Sequence, residues 1–199
     1  MTEPTTLLQM AGAVQSPSPL GQSALVLIDC QMEYVDGRLG LDGIAPALES
    51  AALVLARARD AGAPVVHVAH QGAAGGLFDP DGPGGAIAAQ VAPREGEVVI
   101  GKKLPNAFAG TDLAETLTDL GRKQLVLVGF MTHMCVSSTA RAALDLGYRS
   151  TIVASATATR DLPAPGGGVM TAAELQRASL AALADRFAVI AQGADDLPG

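Results

Sequence analysis

Tryptophan is absent from the 199 residues and aromatics make up only 3%, so the interior has to be built from Ala, Val and Leu. Two cysteines, Cys30 and Cys135, are too few for a disulfide framework, and they lack the C-x-x-C spacing of a redox pair or half a zinc site. No Lys or Arg occurs in the first 22 residues, and no apolar run exceeds strand length, which argues against a secretory leader or a membrane span. Basic blocks are missing as well. Thirteen Lys and Arg against twenty Asp and Glu give a net charge of -7, a poor match for a phosphate backbone. The chain is therefore expected to be cytoplasmic, with no nucleic-acid or membrane partner.

What is present suits one α/β domain. Hydrophobic residues make up 49% and charged residues 17%, enough apolar material for a sizeable core. Short branched apolar runs recur as ALVLID (24–29), PVVHVAH (64–70), EVVI (97–100), QLVLVG (124–129), STIVAS (150–155) and FAVI (187–190). Continuous runs of this kind indicate strands covered on both faces, hence a parallel sheet with helices outside. Helical segments between them close at Gly62, Gly121 and Gly147, and Asp112/Glu115 and Thr171/Glu174 resemble capping pairs. The expectation is a three-layer α/β/α Rossmann-like fold with a six-stranded parallel sheet over residues 23–199. Residues 1–22 form an N-terminal arm or connector with a short helix near Leu7–Ala11. Residues 71–85, rich in Gly and Pro, form a surface loop at the carboxyl edge of the sheet, a candidate lid over a ligand.

Neither G-x-G-x-x-G after the first strand nor a P-loop occurs, which removes the usual phosphate cradles. Cys135 follows the fourth strand at the expected start of a helix, where free N–H groups and the dipole would lower a thiol's pKa. Asp29 ends the first strand and Lys102 follows the third. An acid, a cation and a thiol at neighbouring strand ends suit covalent catalysis, although each residue alone is equally compatible with a turn, a solvated lysine or an inert buried cysteine. His67 reads as a core residue, whereas His70 could face a pocket. His133 lies in the nucleophile segment, and Phe78, Phe108 and Phe130 could wall a pocket or simply pack. Thr159, Arg160 and Asp161 follow the fifth strand and could touch ligand or form a surface turn; Cys30 reads as core filler.

The segments LVLIDCQ (25–31), GKKLPNAFAGTDL (101–113) and GFMTHMCVSSTARAA (129–143) resemble the isochorismatase-like cysteine hydrolases from about Ala24 onward. The resemblance implies Asp29 as proton acceptor, Lys102 rather than Lys103 as catalytic cation and Cys135 as nucleophile. It also implies a cis peptide between Phe130 and Met131, with the Met131 and Cys135 amides as an oxyanion hole. The implied activity is cleavage of an amide-like C–N bond of a small molecule through an acyl-cysteine, in a dimer or tetramer. Nicotinamidases of similar framework carry an Asp-x-His metal motif that this chain lacks, so no metal or cofactor is expected. Retention of Cys135 argues against cleavage of the isochorismate vinyl ether. The resemblance also implies that Asp29→Asn removes the base while leaving the fold nearly unchanged. A thiol-based redox or electrophile sensor, or a non-catalytic small-molecule-binding member of the fold, are the alternatives.

Overall fold

The computed structural model describes residues 3–199. In chain order the elements are α1 (Leu7–Met10), β1 (Ser23–Ile28), α2 (Ile44–Asp60), β2 (Val65–His70), β3 (Val98–Lys102), α3 (Leu113–Asp119) and β4 (Gln124–Phe130). Then follow α4 (Ser137–Asp145), β5 (Arg149–Ala158), a two-stranded ribbon of β6 (Leu162–Pro163) and β7 (Val169–Met170), α5 (Ala172–Arg186) and β8 (Ala188–Ala191). Six strands pair in the order β3-β2-β1-β4-β5-β8, every pair parallel. This is the expected α/β sheet. The β6–β7 ribbon, too short to leave a periodic signal, was not foreseen.

All six residues of β1 are buried because the sheet is covered on both faces. One apolar layer packs Leu25, Leu27 and Val126 against Leu48, Ala51 and Leu55 of α2. The opposite layer packs Val26, Ile28 and Leu125 against Leu113 and Leu117 of α3, Ala140 of α4 and Leu183 of α5. With so few aromatics, small side chains let these helices sit close to the strands.

Two local expectations need correction. Asp112 precedes α3 but its side chain makes no capping hydrogen bond, since its own ψ of 13° aims the carboxylate away from the helix N–H groups. Thr171 and Glu174, by contrast, form the full reciprocal capping box of α5. The helix expected to open at Cys135 opens earlier, as a wide turn over residues 132–136 in which the Val136 N–H reaches back five residues to the Met131 carbonyl at 3.2 Å. Residues 71–85 form the expected surface loop, tied down at Phe78. Gly72 N–H donates to the Phe78 carbonyl (2.9 Å), and Phe78 is buried edge-on against Tyr34 and His70.

Candidate active site

Parallel register decides which side chains meet at the carboxyl edge. Ile28 pairs with Val68 and Gly129, and His70 pairs with Lys102, so the exits of β1, β2, β3 and β4 lie side by side. Asp29 leaves β1 with φ +50°, its N–H donating to the Val68 carbonyl at 2.8 Å while its own carbonyl accepts from Gln31 N–H at 2.8 Å. Such a left-handed residue costs about 1–3 kcal/mol, least for Asp and Asn, and here it turns the carboxylate across the sheet edge. Gly129 lies beside this turn at φ +113°, where a Cβ would sit 2.0 Å from the Ile28 carbonyl oxygen. Only glycine allows β4 to pass so close to the end of β1.

Asp29, Lys102 and Cys135 meet there. Lys102 Nζ lies 2.7 Å from Asp29 Oδ2 and 3.3 Å from Cys135 Sγ, with Asp29 and Lys102 essentially inaccessible and Cys135 only 5% exposed. Lys102 meets Asp29 as a buried ion pair at close range. Lys102 is the last residue of β3 rather than a residue beyond it, and strand alternation turns Lys103 out to solvent. The Phe130–Met131 peptide is cis, and Met131 is buried at the entry to the wide turn that carries Cys135.

Electrostatics depart from expectation at the thiol. Burial first, then the Asp29 charge, push the Cys135 thiol up to about 12, with Lys102 opposing them. A helix start lowers a thiol's pKa when the sulfur is accessible, but this sulfur is enclosed by its neighbours. Burial likewise raises the Asp29 carboxyl against the downward pull of Lys102.

The remaining candidates sort themselves by contact. His70 Nδ1 lies 3.2 Å from Lys102 Nζ, at the site, whereas His67 contacts Glu97 at 3.0 Å in the body of the sheet. His133 Nδ1 lies 2.6 Å from Thr159 Oγ1, which ties the wide turn carrying Cys135 to the end of β5. Asp161 caps the Ala172 N–H at 2.7 Å, and Arg160 lines a surface recess with Arg38 and Asp42. Phe78 and Phe130 both pack edge-on against Tyr34, while Phe108 stacks on Tyr148. Cys30 is buried in the apolar layer facing α2, as alternation required.

Three buried residues of the segment that follows β1 carry further contacts near the site. Gln31 clamps His70 through both backbone groups, accepting from its N–H at 2.8 Å and donating to its carbonyl at 3.0 Å, and donates to the Gly85 carbonyl at 2.8 Å. Glu33 is buried, accepting from Arg38 N–H at 2.7 Å, and Gly84 packs so tightly on it that a Cβ would sit 2.4 Å from Oε2. Tyr34 is buried, and burial followed by the charges of Asp29 and Cys135 raises its hydroxyl pKa. The spacing of Gln31, Glu33 and Tyr34 behind Asp29 was the available signal; none belongs to a regular element with a periodic pattern. Among the described residues no group of three or more His, Cys, Asp and Glu could hold a metal, and no helix is long and apolar enough to cross a membrane.

Residues 23–195 match the isochorismatase domain. A crystal structure of an isochorismatase from Pseudomonas putida KT2440 superposes with a TM-score of 0.94 at 44% identity, covering 98% of this chain and all (100%) of that one. A secreted isochorismatase effector of Verticillium dahliae is 37% identical over 94% of this chain and 96% of its own length. A streptothricin hydrolase of Streptomyces noursei is 36% identical over 86% of this chain and 63% of its own length.

Proposed function

Because the chain belongs to the isochorismatase family, we propose that it is a cysteine-dependent hydrolase cleaving an amide-like C–N bond of a small molecule through an acyl-cysteine. The observation that carries this reading is one buried ammonium lying within 2.7 Å of a carboxylate and 3.3 Å of a thiol. A carboxyl whose pKa is raised by burial is a better proton acceptor than an ordinary one, which suits Asp29 as the base.

Asp29 takes the Cys135 proton as the sulfur attacks the amide carbon. The C=O electron pair moves to oxygen, where the Lys102 ammonium and the Met131 and Cys135 amides stabilise it. Collapse of the tetrahedral species breaks the C–N bond, and the proton held by Asp29 leaves with the amine or ammonia. Water then gives a proton to Asp29 and attacks the acyl-cysteine; the returning proton restores the thiol as the acid departs. No metal or cofactor enters this sequence. A cytoplasmic homo-oligomer is part of the proposal, resting on chain composition and family resemblance.

The sensor alternative fits less well. Redox-sensing cysteines are accessible and low in pKa, and Cys135 is neither. The test is a panel of small amides followed by ammonia or amine release and by intact-mass detection of an acyl adduct. At least one amide should turn over in the wild type, with the adduct mapping to Cys135, and Cys135→Ala should lose both. Turnover that survives Cys135→Ala, or a broad panel without turnover or adduct, would overturn the reading.

A further inference from the structure

An ammonium has three N–H bonds to give and no lone pair with which to receive one. Lys102, 1% exposed, has three acceptors around Nζ: Asp29 Oδ2 at 2.7 Å, Cys135 Sγ at 3.3 Å and His70 Nδ1 at 3.2 Å. The first two belong to the reaction proposed above. The third has no role in it.

We propose that His70 is a positioning residue for this chemistry: its Nδ1, kept unprotonated, takes the third hydrogen of Lys102 and fixes the ammonium between Asp29 and Cys135. The inference rests on the proposed hydrolase reading and adds a fourth residue to it. His70 is built to hold this place. It sits opposite Lys102 in the β2–β3 register, its backbone is clamped at both ends by Gln31, and its ring lies edge-on to Phe78 with centroids 5.2 Å apart. Without it, one ammonium hydrogen would point at nothing in a buried space, a situation native interiors avoid.

The contact also sets the tautomer. If Nδ1 accepts, the ring proton is on Nε2. Protonating Nδ1 would set a donor against a donor and a cation against a cation, and Lys102 would lose its fixed position. The groups that meet the ring are Lys102 from β3 and Phe78 from the 71–85 segment, with Asp29 and Cys135 reached through Lys102 and Glu33 behind Phe78 (Phe78 N to Glu33 Oε2, 3.4 Å). Burial first, then Lys102, hold the imidazole below its ordinary value, so it remains an acceptor at neutral pH.

The test reads the thiol and needs no substrate. Alkylation of Cys135 by iodoacetamide is followed against pH, with peptide mapping to separate it from Cys30. In the wild type the rate should fall with pH and steepen below a break on the acid side of the ordinary histidine range. His70→Phe keeps a ring against Phe78 but offers no acceptor; it should lose the break and react about tenfold more slowly at neutral pH, the worth of one hydrogen bond to a charged group. His70→Asn, whose amide oxygen can accept from Lys102, should recover most of the neutral rate without the break. A His70→Phe protein with the wild-type rate and profile would overturn the proposal, as would a His70→Asn protein no faster than His70→Phe. Should the variants fail to fold, nitrogen-15 spectra of histidine-labelled wild type decide: a bare Nδ1 supports the assignment and a protonated Nδ1 overturns it. Failure of amide turnover with these alkylation results intact would remove the hydrolase reading alone.

Discussion

Asp29 carries the most consequence for a single side chain. Its sequence position, at the end of a buried strand, suggests a base that could be neutralised without cost to the fold. The geometry says otherwise, because the Lys102 ammonium has no solvent to turn to once the carboxylate is gone. Removing one member of a buried ion pair costs about 3–5 kcal/mol, most of it from the charge left behind. Asp29→Asn should therefore lower the urea midpoint by an amount of that order as well as abolish turnover. Adding Lys102→Met should recover part of the stability and none of the turnover. An Asp29→Asn protein as stable as wild type would refute a structural role for the buried pair. The preference for Lys102 over Lys103 came from the family resemblance; alternation says only that the two neighbours point to opposite faces, and the fold buries Lys102 and exposes Lys103. The direction of the thiol shift was not, because burial of a particular sulfur depends on side chains from four separate strand ends.

Between elements, a two-pronged ion pair outside the site joins α2, β2 and the entry to β3. Arg59 grips Glu97 at both carboxylate oxygens, 2.7 and 2.9 Å, while Arg94 N–H (2.8 Å) and His67 Nε2 (3.0 Å) share Oε2. These bonds, led by Arg59, bring the Glu97 carboxyl down to about 2 from 4.5. A carboxyl lowered in the fold adds stability that is complete above the unfolded value and is lost as pH falls from about 4.5 towards 2. His67 is also lowered, chiefly by burial, which outweighs the opposing pull of Glu97. Its contribution is present above 6.5 and lost as pH falls through the folded value. Glu97→Gln should cost about 1–2 kcal/mol at pH 7, discounted for partial exposure, and flatten the acid side of a stability profile measured by urea melts from pH 7 to 2.5. An unchanged profile between pH 4.5 and 2.5 would refute the clasp. Strands were readable because β1 and β4 are built on continuous apolar runs and β5 carries Ile152–Ala154 at its centre. The ends were not: β5 runs on to Ala158 past a register shift, and β3 runs on through Gly101 and Lys102, residues with no apolar signal of their own. The 71–85 loop was legible from its Gly and Pro, but its anchoring was not, because Gln31 and Tyr34, which hold Gly85 and Phe78, lie far upstream in sequence.

At the scale of the whole molecule, the arm and the site occupy opposite edges of one sheet. Arg149, at the start of β5, donates to Ser18 Oγ at 2.9 Å, to Gln124 Oε1 at 3.1 Å and to the Ser16 carbonyl; Ser18 N–H donates to Thr151 Oγ1 at 2.9 Å, and Leu20 N–H to the Pro198 carbonyl at 2.9 Å. Upstream of these bonds the attachment thins out. No residue of α1 is buried, its Leu7 N–H meets Asp185 at 2.9 Å, and Leu8, Ala13 and Val14 border a small apolar recess of about 170 Å³ against Tyr148, Phe187 and Val189. We propose that 23–199 is the catalytic unit and that the arm acts on stability alone. Deleting residues 1–13 keeps every bond made by Ser16, Ser18 and Leu20 and gives up about 1–2 kcal/mol of peripheral contact. For a domain of this size that is a melting temperature lower by about 2–8 °C. Because the exits of β1 to β4 lie at the far edge, turnover and the alkylation rate of Cys135 should stay within about twofold of the full chain, as for a surface change remote from the site. A shortened protein that keeps its melting temperature but loses thiol reactivity would mean that the arm reaches the site by a route the fold does not contain, such as a second copy of the chain.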